Sequence, residues 1–142
     1  MALMTGTAYW AAIKTPNTKY DAMWTIDVVP HDPSVLEDLR ERGFRIKAMR
    51  DGQEAIVIRR RCVSVKGNKN KEPKLVDAHK NPIDVQVGNG SNVVVQYSEY
   101  AGTNTFGPYK GLDLRAVQVL DLVEYGGADG DEFEDFDPES EL

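Results

Sequence analysis

Apolar and polar residues mostly alternate along this chain, and helical spacing occurs once. Alternation or strand-favouring bulk marks Ala8–Ile13, Tyr20–Val29 (with Met23, Trp24, Ile26, Val28 and Val29), Ala55–Val65, Lys74–Ala78, Asn92–Tyr100 and Leu112–Tyr125. Turn residues punctuate them: Pro16-Asn17, Pro30, the Gly67–Pro73 loop, His79–Pro82, Gly88–Gly90 and a Gly-rich, aromatic connection over Ala101–Lys110. The exception opens at Asp32-Pro33-Ser34. Asp32 is a natural N-cap, Pro33 suits the first helical position, and Glu37 and Asp38 are expected near the positive helix end. Val35, Leu36 and Leu39 form a short apolar face, Arg40 and Arg42 fall in the last turn, and Gly43 stops the helix. Several short strands and one helix predict a mainly β chain closed into a small barrel.

The 142 residues suffice for one domain with a short appendage and a core that needs no cross-link. Cys62 is the single cysteine, so no intramolecular disulfide forms and a reducing setting is expected. No apolar run approaches the ~18 residues of a membrane span, and the start lacks a signal-peptide pattern, so a soluble, unexported protein is expected. A net charge of −6 argues at first against a nucleic-acid partner. That average hides a division. From Gly126 onward stand Asp129, Asp131, Glu132, Glu134, Asp135, Asp137, Glu139 and Glu141, with no lysine or arginine. Setting those eight aside from 23 acids leaves 15 against 17 bases, so the preceding chain is net +2. Phe133, Phe136 and Leu142 are too few to offset the entropy of ordering. The expected organisation is a domain over 1–125 and a disordered acidic tail over 126–142.

Two features of the body carry candidate chemistry. Arg59, Arg60, Arg61, Lys66, Lys69, Lys71, Lys74 and Lys80 crowd one stretch against only Glu72 and Asp77. On a strand Arg59 and Arg61 share a face while Arg60 points away from it, and a cationic row with its loop can follow a phosphate backbone. A solvated strand edge is the alternative, because lysines there also deter edge-to-edge pairing. Tyr9, Trp10, Tyr20, Trp24, Tyr97, Tyr100, Phe106 and Tyr109 lie in or beside strands. Rings on strands are more often core than platform, but Phe106 and Tyr109 fall in the Gly-rich connection beside Lys110, where stacking on bases gives an exposed ring a purpose. Enzyme constellations are missing: His31 and His79 have no zinc-like spacing, Cys62 suits a buried strand position, and no Walker, dinucleotide or nucleophile-elbow motif occurs. No cofactor and no metal are expected.

Taken in order, several pieces resemble the single-stranded DNA-binding proteins of short-tailed, T-seven-like bacteriophages. They are Gly6-Thr7-Ala8 before an aromatic strand, Ile26-Asp27-Val28-Val29-Pro30, the basic strand, Leu75-Val76-Asp77-Ala78, Gly88-Asn89-Gly90-Ser91 leading into Val93–Ser98, and Leu112-Asp113-Leu114 through Glu124 into the acid run. The resemblance implies an OB-fold Greek-key barrel that coats and protects single strands during replication, recombination and repair in the cytoplasm of an infected bacterium. It implies a tail that contacts DNA polymerase and helicase-primase, and a homodimer. Arg59, Arg61, Lys66, Lys69, Lys71 and Lys110 are the expected phosphate contacts, and Tyr100, Phe106 and Tyr109 the expected stacking rings. Asp131, Glu132, Phe133, Glu134, Asp135, Phe136 and Leu142 are the expected partner-binding residues. This chain departs from the family in a shorter helix region and in ending on Leu142 rather than an aromatic residue. An OB-like adaptor that binds only proteins is the rival reading.

Overall fold

A computed structural model describes residues 2–18, 22–64 and 66–123. The tail over 126–142, with all its expected partner-binding residues, lies outside them, as do Tyr20, Val65 and Tyr125. The elements are β1 (Ala2–Asn17), β2 (Met23–Pro30), α1 (Pro33–Glu41), β3 (Lys47–Ala48), β4 (Glu54–Arg61), β5 (Lys74–Val76), β6 (Asn92–Asn104) and β7 (Gly107–Asp121). Neighbours run β3-β4-β2-β1-β6-β7-β5, and a parallel pairing of Arg59 with Asp113 joins β4 to β7. That contact closes five strands into a barrel of the OB type.

Closure depends on β1, which serves two partners. Its first residues pair with β6 (Ala2 with Tyr97 to Thr7 with Asn92), and from Gly6 onward it pairs with β2. At the shared corner Gly6 admits no side chain, since a Cβ there would sit 2.5 Å from the Val29 carbonyl oxygen and 2.6 Å from Val28 Cγ1. Strand parity sorts the core. Ile26 and Val28 of β2, Ile56 and Ile58 of β4, Val93 and Val95 of β6, and Leu114 and Val117 of β7 all point inward. Trp24 and Tyr97 join them, as the prior for ring-bearing strand residues favours. The helix is capped as expected: Asp32 accepts from the Ser34 backbone N–H at 3.0 Å, Pro33 follows, and Leu39 is buried against the barrel. Gly43 turns the chain at a φ of +92°.

Several expectations are corrected. Glu37 and Asp38 lie beyond the first helical turn, and pair instead with Arg40 (2.6 Å) and Arg42 (3.1 Å). Pro16-Asn17 is not a turn but the end of β1, with Asn17 opposite Met23, and Pro30 is the last residue of β2. The basic strand stops at Arg61, the strand at Lys74 is three residues long, and β7 begins at Gly107 rather than Leu112. The largest change concerns Ala101–Lys110. It is no loose loop but a ribbon, in which Ala101 to Asn104 pair with Lys110 to Gly107 around a turn at Thr105-Phe106. Its glycines suggested flexibility, whereas Gly107 serves the turn at a φ of +114° and Gly102, like Gly111 just beyond, accommodates a ring across the ribbon.

Candidate nucleic-acid interface

The ribbon is fastened before it can present anything. Arg42, just past the helix, donates both terminal nitrogens to Glu99 at 2.8 Å, and those bonds hold the Glu99 carboxyl below the usual carboxylate range. On the opposite strand Lys110 Nζ donates to the Arg42 carbonyl at 2.5 Å. Phe44 lies buried between the two cations, with Arg42 5.2 Å and Lys110 5.0 Å from its ring centre. Helix end, Phe44 and ribbon thus form one unit.

Tyr100 and Tyr109 occupy the other ribbon face. Tyr100 is opposite Gly111 and Tyr109 opposite Gly102, and each ring lies across its partner glycine where a Cβ would otherwise stand. The rings remain 44% and 47% exposed, so they are supported flat and still open to a ligand. Phe106 at the tip is 98% exposed.

Between the ribbon and β4 runs a groove of about 340 Å³ lined by Phe44, Arg45, Lys47, Ile56, Val57, Arg59, Tyr100, Lys110, Gly111 and Leu112. Its floor is apolar and its walls carry four cations and an open tyrosine. Those cations are not equivalent. Lys47 is bound to Asp27 at 2.5 Å, and Asp27 is a carboxylate buried on the outer sheet face. Lys110 is bound as described above. Arg45 and Arg59 are exposed and have no protein partner among the described residues. They are the two groove cations at liberty to meet an anion.

The residues expected from the sequence therefore divide. Arg59, Tyr100 and Lys110 meet in the groove, and Tyr109 and Phe106 extend it along the ribbon. Arg61 is half-buried and its Nε donates to the Val63 carbonyl at 3.3 Å, away from the groove lining. Lys66, Lys69 and Lys71 are exposed on the loop after β4. Arg60 holds that loop, donating to the Lys71 carbonyl at 2.9 Å and to Asp113 at 2.7 Å. The loop of lysines is thus tied down by the residue next to Arg59, but the lysines are not part of the groove lining. Sequence reading passed over Phe44, Arg45 and Lys47. The alternation Phe44-Arg45-Ile46-Lys47 directly after the helix stop was the available signal, since it marks a short strand-like segment with cations on one side.

Among the described residues there is no group of three or more histidines, cysteines or acids that could hold a metal, and no helix long and apolar enough to cross a membrane. Burial pushes the Cys62 thiol up, which opposes thiolate chemistry there.

The fold and groove define a class: an OB-type barrel with a cationic, aromatic-lined groove on its outer face. Solved structures of bacteriophage proteins share that fold. Gp2.5, a single-stranded DNA-binding protein encoded by bacteriophage T7, superposes with a TM-score of 0.62 over 90% of this chain and 91% of its own, at 20% identity. The single-stranded DNA-binding protein of bacteriophage Enc34, solved in complex with single-stranded DNA, gives 0.60 over 87% of each chain at 12% identity. A second structure of the Enc34 protein gives 0.59, covering 88% of this chain and 83% of that one at 11% identity. No protein-family model and no curated protein sequence matches the chain.

Proposed function

We propose that this protein binds single-stranded DNA without strong sequence preference, as a phage-type coating protein rather than an enzyme. The observation that carries the reading is the groove: the guanidiniums of Arg45 and Arg59, without a partner among the described residues, stand beside the supported, open Tyr100 on a barrel of this fold. Guanidiniums hold phosphates and rings stack on bases, a combination that tolerates any sequence because every base has a π-face. The lysines of the loop after β4 add a cationic approach to the same strand.

Within this reading the protein protects transient single strands during replication, recombination and repair in the cytoplasm of an infected bacterium, and works as a homodimer. The acid run from Asp129 competes with DNA for the groove and recruits polymerase and helicase-primase through Phe133, Phe136 and Leu142. A tethered anion acts at an effective concentration in the millimolar range, so competition needs no strong intrinsic affinity.

Titration of a labelled single strand and of duplex of equal length, at about 0.05 and 0.2 M salt, tests the reading. Single-strand binding is expected to be much tighter, and to weaken with salt by a log–log slope of roughly −0.7 per phosphate contacted. Equal affinity for duplex counts decisively against it, and binding to neither favours a protein-only adaptor. Deleting residues 128–142 changes the net charge from −6 to +2. That variant is expected to bind DNA more tightly, most of all at low salt where screening is weak, and to lose capture of the phage polymerase. Unchanged DNA affinity together with unchanged capture removes the tail's proposed role.

A further inference from the structure

Strand β1 carries a large aromatic residue in a conformation that suits it poorly. Met4, Ala8, Ala11 and Ile13 point into the core, so one extra residue stands between Ala8 and Ala11. The pairing shows the same irregularity: three residue steps from Tyr9 to Ala12 face two from Asp27 to Thr25. This β-bulge lets Tyr9 and Trp10 both lie outside the barrel. Trp10 takes a φ of +52°, in the left-handed region, and its backbone N–H donates to Asn89 Oδ1 at 2.8 Å. Glycine fits that backbone without cost, whereas a tryptophan there strains the fold. Burial does not repay the strain, because Trp10 is 61% exposed. Neither local conformation nor packing accounts for the ring, and a flat ligand does.

The bulge is continuous with the groove. On the outer sheet face Tyr9 lies opposite Asp27, which lies opposite Val57 of the groove wall. The next row runs from Ala12 through Thr25 to Arg59. Two inter-strand steps of about 4.8 Å separate β4 from β1, so a ligand leaving the groove reaches the bulge within roughly 10 Å. Between them Asp27 presents little negative charge to a passing phosphate, because Lys47 covers it.

We propose that the Tyr9–Trp10 bulge is a second nucleobase platform, at which a single strand crossing β4 and β2 from the groove stacks a base on Trp10. The inference rests on the single-strand reading above. Two variants test it, with binding followed by anisotropy of a labelled oligothymidylate of about twelve nucleotides, a length within the usual range for one such barrel. Trp10→Gly suits the backbone, so it is expected to melt no lower than the wild type, yet to bind about tenfold more weakly. Trp10→Phe keeps a stacking ring and is expected to retain most affinity. It should also lose most of the DNA-induced quenching of tryptophan emission, because Trp24, the other tryptophan, is only 8% exposed. Wild-type affinity in Trp10→Gly, or undiminished quenching in Trp10→Phe, overturns this platform while leaving the proposed function standing. A wild-type protein that binds no oligonucleotide overturns both.

Discussion

Replacing Arg45 and Arg59 together by alanine is expected to reduce single-strand affinity about a hundredfold at roughly 0.05 M salt, and hardly at all near 1 M. Each phosphate contact contributes a log–log slope of roughly −0.7, so losing two flattens the slope by about 1.4 and the loss grows as salt falls. Both side chains are exposed and have no protein partner among the described residues, so their truncation leaves no buried charge and opens no cavity. Thermal melting is therefore expected to stay within a few degrees of the wild type. Salt titrations of the double variant check this. An unchanged slope would place the phosphate contacts elsewhere, with the lysines of the loop after β4 the first candidates.

Lys47 faces the same groove and is expected to behave in the opposite way. Its ammonium covers Asp27, whose side chain is 6% exposed, while its own stem remains 45% exposed. Lys47→Ala strands that buried carboxylate. Breaking a fully buried pair costs about 3–5 kcal/mol, and access of water to the lysine side reduces this to about 2 kcal/mol. For a domain of this size that corresponds to a fall in Tm of roughly 8 °C. Adding Asp27→Asn removes the stranded charge and is expected to restore most of the loss, a recovery that a simple loss of packing could not show. Thermal melts of the single and double variants decide the matter. If Lys47→Ala melts like the wild type but binds DNA far more weakly, Lys47 belongs with Arg45 and Arg59 as a phosphate contact.

Why these two outcomes differ was not legible from the residues. Arg45, Lys47, Arg59 and Lys110 look alike on paper, each a cation beside apolar residues. What separates them is a partner brought from far along the chain: Asp27 for Lys47, the Arg42 carbonyl for Lys110, and none among the described residues for the two arginines. The ribbon teaches the same lesson. Gly102 belongs to a stretch that reads as loose, yet it and Gly111 are the residues that leave room for the tyrosines opposite. A glycine's purpose depends on what approaches it, and that approach is set across strands.

Features that depend on near neighbours were readable from the start. Helix 33–41 with its Asp32 cap and Gly43 stop follows from local hydrogen bonding and backbone preference. The strands themselves were readable too, and parity within each groups Ile26 with Val28, Ile56 with Ile58 and Val93 with Val95, the pairs that the structure turns inward. The charge division at Gly126 is a matter of composition alone. Tertiary structure decided the rest: that β1 serves both β2 and β6 with Gly6 packed tightly where the two pairings overlap, that Arg59 meets Asp113 to close the barrel, and that Trp10 is raised on a bulge. Parity says which face a residue takes but not which strand lies beside it. The groove is made of exactly such long-range neighbours, so it exists only once the barrel has closed.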